Sequence, residues 1–322
     1  MAVVFPAWTP SAPLQPLSFD WSSAAGVELA VLRLDLLDPL ISGNKWFKLA
    51  HHLQSAAAVG AEGLISLGGA HSNHLHALAA AGRRFDFATV GLLRGEPQNT
   101  PTIADLQACG MQLHWLGYGG YRARHQPGFW EPWRERYPGF YPVPEGGGGL
   151  PGAQGCAALL TLARQQLASL GWADYDAWWL AVGTGTTLAG LLLAEAGEHP
   201  VYGALALPGT HGAAQQIQAI LHAAGRPDSG YQLLEASRAG FAKADAELID
   251  FMLASEAASG LPLEPVYTAK ALMALRRQVE AGYFARGSRL LFVHTGGLQG
   301  RQAALSRYQQ RCSAQPAGYT DS

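Results

Sequence analysis

Four turns in this chain combine glycines, small hydroxylated residues and the start of a helix, and each carries a group able to do chemistry. The first reads Ser42-Gly43-Asn44-Lys45-Trp46-Phe47-Lys48-Leu49. Lys45 stands where a helix should begin, with Ser42 or Asn44 available as cap. An ammonium there is opposed by the helix dipole, which lowers its pKa. A lysine deprotonated near neutral pH is what a Schiff-base nucleophile needs; the plainer alternative is an ordinary exposed lysine. The second turn is Gly68-Gly69-Ala70-His71-Ser72-Asn73-His74. Ser72 or Asn73 caps the next helix, whose free N–H groups make a carboxylate or phosphate site, although capping alone would use the same residues. His71, His74 and His76 match no metal-ligand spacing and have no acidic neighbour, so no metal is expected.

The third turn, Val182-Gly183-Thr184-Gly185-Thr186-Thr187-Leu188-Ala189-Gly190, follows a run of apolar residues. Small residues let backbone N–H groups converge on a phosphate, and the threonine hydroxyls add donors. It is neither Gly-x-Gly-x-x-Gly nor a loop ending in Lys-Ser/Thr, so a single phosphoester suits it better than a dinucleotide or ATP. The fourth place is a pair, Glu264-Pro265-Val266-Tyr267-Thr268-Ala269-Lys270 and Val293-His294-Thr295-Gly296-Gly297. Thr268 and Thr295 each stand beside a helix start and Tyr267 adds a phenol; taken singly, such residues are usually structural. Together the turns supply a lysine, a carboxylate site, a phosphate cradle (Gly183, Thr184, Gly185, Thr186, Thr187) and hydroxyls for a ring. That set describes pyridoxal phosphate.

The elements that must position these turns alternate between short apolar runs and Ala/Leu-rich amphipathic stretches, the pattern of a parallel sheet covered by helices. Strands are expected at 63–69, 88–94, 111–117, 177–183, 201–208, 231–236 and 289–297, and helices from near Lys45, Ser72, Thr102, Ala153, Thr186, His211, Lys243, Thr268 and Leu298. Several strands run as unbroken Val/Ile/Leu, as strands buried on both faces do. The proline- and aromatic-rich stretch from Gly117 to Gly152 reads as an irregular excursion followed by a crossing between two α/β lobes, with a ligand cleft between them.

Composition agrees with that plan. A chain of 322 residues suggests about two domains. Hydrophobic residues make up 48% and charged residues 14%, against a usual charged share of about 25%, so a core can form. A net charge of −2 offers no field for nucleic acid or an anionic membrane. Cys109, Cys156 and Cys312 are scattered and odd in number, which argues against a disulfide framework and for a reducing cytoplasm. The start, MAVVFPAWTPSAPLQPL, has no basic n-region and is broken by prolines, which argues against a signal peptide. No apolar run approaches the ~20 residues needed to span a bilayer.

From about Asp35 to Gly297 the chain resembles the D-cysteine desulfhydrase and 1-aminocyclopropane-1-carboxylate (ACC) deaminase family, fold-type-II pyridoxal-phosphate enzymes like the tryptophan synthase β-subunit. Gly-Asn-Lys-x-x-Lys-Leu, Ser-Asn-His, the glycine/threonine loop, Pro-Val-Tyr-Thr-x-Lys and His-Thr-Gly-Gly occur in the family's order. The resemblance implies a two-lobed, three-layer αβα fold with mostly parallel sheets. A small mobile lobe at 39–147 would close over a larger cofactor-binding lobe of 1–38 plus 148–322, and the family commonly forms homodimers. It further implies that Lys45 binds pyridoxal 5'-phosphate covalently and moves the Cα proton. Asn73 would hold the phenolic oxygen, Gly183 to Thr187 the phosphate, and Thr268 the pyridine nitrogen, with Thr295 also among the cofactor contacts. Ser72 and the following N–H groups, with Asn73, His74 and Tyr267, would surround a small amino-acid substrate, and Lys45, Ser72 and Tyr267 would be the catalytic residues. The chain departs from the family at Arg238-Ala239-Gly240-Phe241-Ala242-Lys243, where Phe241 replaces a tyrosine, at Ala269 in place of glycine, and at Gly146–Gly149 in place of Gly-Gly-Ser-Asn.

Two enzyme reactions compete on this reading. ACC deaminases carry glutamate at the position of Thr268 and leucine at that of Thr295. A threonine offers the ring nitrogen only a neutral hydrogen bond, so the ring is expected to stay largely unprotonated and to be a weaker electron sink. Elimination tolerates this because a thiolate departs as charge develops at Cα. The expectation is therefore α,β-elimination from a D-cysteine-like substrate, with ACC deamination as the alternative. A non-catalytic cofactor- or amino-acid-binding protein is the alternative of another class. A nicotinamide-dependent oxidoreductase needs a Gly-x-Gly-x-x-Gly fingerprint that the chain lacks.

Overall fold

Unbroken apolar runs and their flanking glycines set the strands. The computed structural model describes residues 2–208, 212–238 and 244–314. Its strands are β1 (Leu14–Leu17), β2 (Glu28–Arg33), β3 (Gly63–Gly68), β4 (Ala88–Leu93), β5 (Gln112–Trp115), β6 (Phe140–Pro142), β7 (Ala177–Val182), β8 (Val201–Leu205), β9 (Tyr231–Glu235) and β10 (Arg289–His294). They form a six-stranded sheet, β1-β2-β10-β7-β8-β9, and a four-stranded sheet, β5-β4-β3-β6. Every neighbouring pair is parallel except β1 with β2. This is the expected mixed α/β architecture on mostly parallel sheets.

The middle strand shows why there are three layers. All six residues of Ala177–Val182 are buried. Trp178, Leu180 and Val182 belong to one apolar core, and Ala177, Trp179 and Ala181 to another on the opposite face. Each face of the sheet is thus sealed by its own helices. Ile65, Leu67, Val90 and Leu92 of the small sheet face a third core with Tyr121. Helix Gly149–Cys156 packs against both helix Lys45–Ala58 and helix Thr186–Glu195. The approach is close: a Cβ on Gly155 would stand 1.8 Å from the Phe47 carbonyl oxygen, so only glycine fits there.

All seven expected strands are present, and three more were not anticipated. β1 carries Pro16, which has no N–H to donate and is tolerated because β1 lies on the sheet edge. β6 is three residues inside the proline- and aromatic-rich stretch, too short to show a period. β2 is an apolar run, Leu-Ala-Val-Leu, followed directly by the irregular Leu34–Leu36 turn. The Gly117–Gly152 stretch is also less irregular than expected, with helices at Gly117–Arg122 and Glu131–Arg136. The helix expected near Ala153 begins four residues earlier, at Gly149. Leu298–Gly300 is a 3-10 turn leading into helix Arg301–Ala314. His211, Lys243 and Phe241 lie outside the described residues; the helices nearest to the two expected starts are Ala213–Ala223 and Ala246–Ser259.

Candidate active site

Three of the four turns sit at carboxyl ends of parallel strands, where open α/β sheets take ligands: Ser72 after β3, Gly183 after β7 and Thr295 after β10. The Lys45 turn is stitched to the last of these. Asn44 N–H donates to the Thr295 carbonyl at 3.1 Å. A Cβ on Gly43 would stand 2.2 Å from that same oxygen, and one on Gly296 would stand 2.5 Å from Gly43 Cα. Two glycines therefore let the backbones touch.

Lys45 opens helix Lys45–Ala58 as expected, but neither Ser42 nor Asn44 caps it. The Asn44 side chain instead bridges the site, donating from Nδ2 to Thr187 Oγ1 at 2.8 Å and accepting at Oδ1 from Lys45 Nζ at 2.7 Å. Burial is the first cause holding the Lys45 amine well below the usual lysine range, and the Lys48 charge adds to it; Cys156 and Glu264 pull the other way. Desolvation thus does what the helix dipole was expected to do. Lys48, one turn on, is 4% exposed and has no hydrogen-bond or ion-pair partner among the described residues. Burial lowers its pKa too.

Ser72 caps helix Asn73–Phe85, its Oγ accepting from Leu75 N–H at 3.2 Å, and Asn73 is the first helical residue. The Asn73 amide nitrogen lies 2.9 Å from where a Cβ on Gly297 would be, so the second and fourth turns also meet. The His74 ring lies behind the cradle, its Cε1 3.4 Å from the Cβ position of Gly147 beside Lys48, and it is anchored on its far side. It is 2% exposed, and its Nε2 lies 2.8 Å from Ser66 Oγ. Ser66 donates its own hydrogen to the Val143 carbonyl at 2.9 Å, so it must accept from His74 Nε2–H. His74 Nδ1 is left buried without a partner, and burial holds this imidazole well below the ordinary histidine range. Only the backbone of His74 belongs to the helix N-terminus facing the turn.

The third turn is a cradle. Gly185 has φ +81, and a Cβ there would stand 2.5 Å from Ile217 Cγ1. Thr186 and Thr187 are buried, and the Thr184 and Thr186 hydroxyls lie 3.1 Å apart. Gly146 and Gly147 close the cradle from the other side, the first against Thr184 and the second against Lys48 and His74. Tyr267 lays its ring edge 3.1 Å from the Cβ position of Gly183. Burial, then the charges of Glu264 and Glu145, push its phenol up, so it remains an O–H. Thr268 begins helix Thr268–Glu280 and is 1% exposed. Its hydroxyl is not idle, because Glu264 engages it from two directions. Lys270 is no rival to Lys45, since its Nζ donates to the Ala206 carbonyl at 3.0 Å.

The sequence reading missed four participants. Asn44 and Lys48 stand inside the quoted lysine motif; Lys48 falls three residues after Lys45, on the same helix face. Glu264 stands four residues before Thr268, a spacing at which a carboxylate can cap a helix. Glu145 is held by Tyr121 O–H at 2.5 Å and Arg124 Nε at 2.7 Å; no local pattern signals it.

These residues fit pyridoxal phosphate. Two buried lysines, one unpartnered, face a glycine cradle with two threonine hydroxyls; a phosphate dianion compensates such cations and occupies such a cradle. Lys45 would supply the amine for the aldehyde, and Asn73, Thr268 and Tyr267 stand on the turns that meet beside it. Comparison with known proteins agrees. A Pyrococcus abyssi protein named provisionally as an ACC deaminase is 28% identical over 298 residues, 87% of each chain. The mitochondrial bifunctional D-cysteine desulfhydrase/ACC deaminase of Arabidopsis thaliana is 25% identical over 297 residues, 85% of this chain and 73% of that one. A crystal structure of an ACC deaminase homologue superposes with a TM-score of 0.79 over 95% of both chains at 24% identity, which shows the fold. Residues 5–296 match the family described as pyridoxal-phosphate dependent enzymes, and this chain, with its buried lysine and phosphate cradle, belongs to that family.

Proposed function

We propose that this chain is a lyase that eliminates the β-substituent of a small amino acid, D-cysteine being the best-fitting substrate, to give 2-oxo acid, ammonia and sulfide. The observation that carries the reading is the state of Lys45: a buried amine, anchored to Asn44 Oδ1, whose pKa is held down by burial and by Lys48. Bound pyridoxal phosphate supplies an electron sink conjugated to the substrate Cα. An uncharged amine beside Cα can take its proton, and a thiolate at Cβ then leaves without further acid catalysis. The amine-bearing carbon of ACC carries no hydrogen, so a base at this place finds no proton to remove from it.

In this reading Lys45 also attaches the cofactor, and Asn73 holds the phenolic oxygen. Gly183–Thr187 and Lys48 hold the phosphate, while Thr268 and Thr295 flank the ring. Ser72 and the N–H groups that follow, His74 among them, bind the substrate carboxylate, and the neutral Tyr267 phenol lines the reacting face. Residues 39–147 form the small lobe that closes on the large lobe of 1–38 plus 148–322. The working state is a cytoplasmic homodimer, to be checked by light scattering and localisation. ACC deamination is the second reading, favoured by the relatives' names; binding without turnover is the third.

Borohydride reduction of the holoprotein followed by peptide mapping tests the attachment, with the adduct expected on Lys45; an adduct on Lys48 or Lys270 overturns it. A panel of D- and L-amino acids and ACC tests the reaction. Pyruvate and sulfide from D-cysteine, with little 2-oxobutyrate from ACC, is the expected result. Efficient ACC consumption with inert D-cysteine refutes the elimination reading.

A further inference from the structure

Glu264 is a buried carboxylate, 2% exposed, that the reaction sketched above does not use. Its Oε2 accepts from Val266 N–H at 2.8 Å, and its Oε1 accepts from Tyr267 N–H at 2.7 Å and Thr268 N–H at 2.6 Å. Burial pushes this carboxyl up, while the three backbone donors at a helix start and the Thr268 hydroxyl act against burial and favour the ionised form. Its side chain borders the site: Glu264 Cγ lies 3.7 Å from the Cβ position of Gly297, where the Asn73 amide also converges.

The Thr268 hydroxyl is bound to this residue. Thr268 Oγ1 accepts from Glu264 N–H at 2.9 Å and has Glu264 O at 3.2 Å and Glu264 Oε1 at 3.3 Å as acceptors for its hydrogen. A hydroxyl has one hydrogen and two lone pairs. Glu264 takes the hydrogen and one lone pair, so a single lone pair remains to face outward.

We propose that Glu264 is a positioning residue that, through the Thr268 hydroxyl, keeps the ring nitrogen of bound pyridoxal phosphate protonated; this rests on the reading above in which Thr268 faces that nitrogen. A protonated ring nitrogen donates N–H to the free lone pair of Thr268, whose own hydrogen stays on Glu264. The ring's positive charge is then balanced by a carboxylate one hydroxyl away. A bare ring nitrogen instead presents a lone pair to a lone pair. It gains a hydrogen bond only by drawing the hydroxyl hydrogen off an ionised acceptor, which binds it more strongly. The chain would thus have a strong electron sink without a carboxylate in direct contact with the ring, contrary to what threonine alone suggested.

The test is nitrogen-15 NMR of the holoenzyme loaded with cofactor labelled at the ring nitrogen. The expected wild-type shift at neutral pH is that of a protonated pyridine. Glu264→Gln and Thr268→Val should each move it to the unprotonated value, and Thr268→Ser should retain the wild-type value. A drop of about one unit in the nitrogen's pKa means a tenfold fall in the ratio of protonated to unprotonated forms. An unprotonated shift in the wild type overturns the proposal whether or not any variant folds. A protonated wild type that is indifferent to Thr268→Val shows that Thr268 does not face the nitrogen, and the underlying reading falls. A shift that moves in Thr268→Val but not in Glu264→Gln leaves that reading intact and refutes the role of Glu264.

Discussion

Replacing Gly43 with alanine should separate backbone strain from the contact that seats Lys45. Gly43 has φ +76, and its Cβ would stand 2.2 Å from the Thr295 carbonyl oxygen. The left-handed conformation costs an alanine about 1–2 kcal/mol, and relief of the overlap costs about 1–3 kcal/mol more. The sum, about 2–5 kcal/mol, is a large part of a typical stability of about 5–15 kcal/mol. Gly60 is the control: φ is +65, with nothing within 4 Å of its Cβ position. Gly60→Ala carries the backbone cost alone, so each kcal/mol should lower Tm by roughly 2–4 °C, and Gly43→Ala should lose about twice as much or more. The same overlap must push the Asn44–Lys45 turn away from Thr295, and a displacement near 1 Å can cost about 100-fold in rate. Calorimetry of both apoproteins and borohydride incorporation of cofactor are the assays. If Gly43→Ala melts no lower than Gly60→Ala and takes up cofactor normally, the two turns do not meet as described.

Ser72→Ala removes the capping oxygen that accepts from Leu75 N–H, so it should cost about 0.5–2 kcal/mol. If Ser72 also holds substrate, kcat/KM falls well beyond that loss while cofactor binding survives; a purely thermal effect favours capping alone. Asn73→Ala should instead loosen the cofactor and alter its absorbance. His74 gives a pH prediction. Its folded pKa is depressed by burial, so below the unfolded value of about 6.5 the unfolded chain binds a proton that the folded chain refuses. Stability therefore falls as pH drops through that value, and Tm against pH should slope less steeply in His74→Gln. Lys45 runs in the same sense at higher pH. The apoprotein gains stability as pH rises toward the unfolded lysine value of about 10.4, and Lys45→Met should remove that gain in the same melts.

The parts of this molecule legible in its sequence are those governed by local rules. Ala177–Val182 is an unbroken apolar run followed by glycine, Gly63–Gly68 is an apolar run broken only by Ser66 and bounded by glycines, and each is a central strand. Ser72 caps the helix that its position foretold. Legibility stops where the deciding contact is distant in sequence. Asn44 looked like a cap and instead reaches Thr187, 143 residues away. The anchoring of the His74 ring by Ser66, itself tied to Val143, 77 residues away, is likewise beyond any local pattern. The short strand Phe140–Pro142 exists because β3 offers an edge to pair with, which no property of Phe-Tyr-Pro announces.

The charges in the site share one physical origin. Lys45 and Lys48 are a turn apart on a buried helix face, each depressed by the same desolvation, and Lys48 adds to the depression of Lys45. Burying Lys48 destabilises the apoprotein, because burial of a cation without a partner is costly. The glycine and threonine cradle beside the two lysines supplies donors and no compensating carboxylate, so an anion entering it relieves the strain. The buried acidic group that Lys45 does sense, Glu264, is held by the N-terminus of helix Thr268–Glu280 and by the Thr268 hydroxyl. Negative charge is thus fixed beside Thr268, where the proposal puts the ring nitrogen, and the buried lysines stand beside the cradle proposed for the phosphate. A dianionic tail and a ring able to carry a proton answer both ends of that arrangement. The free energy that burial of the unpartnered Lys48 costs is then recovered as affinity for the cofactor, so Lys48→Met should melt higher than wild type without cofactor and gain less on adding it.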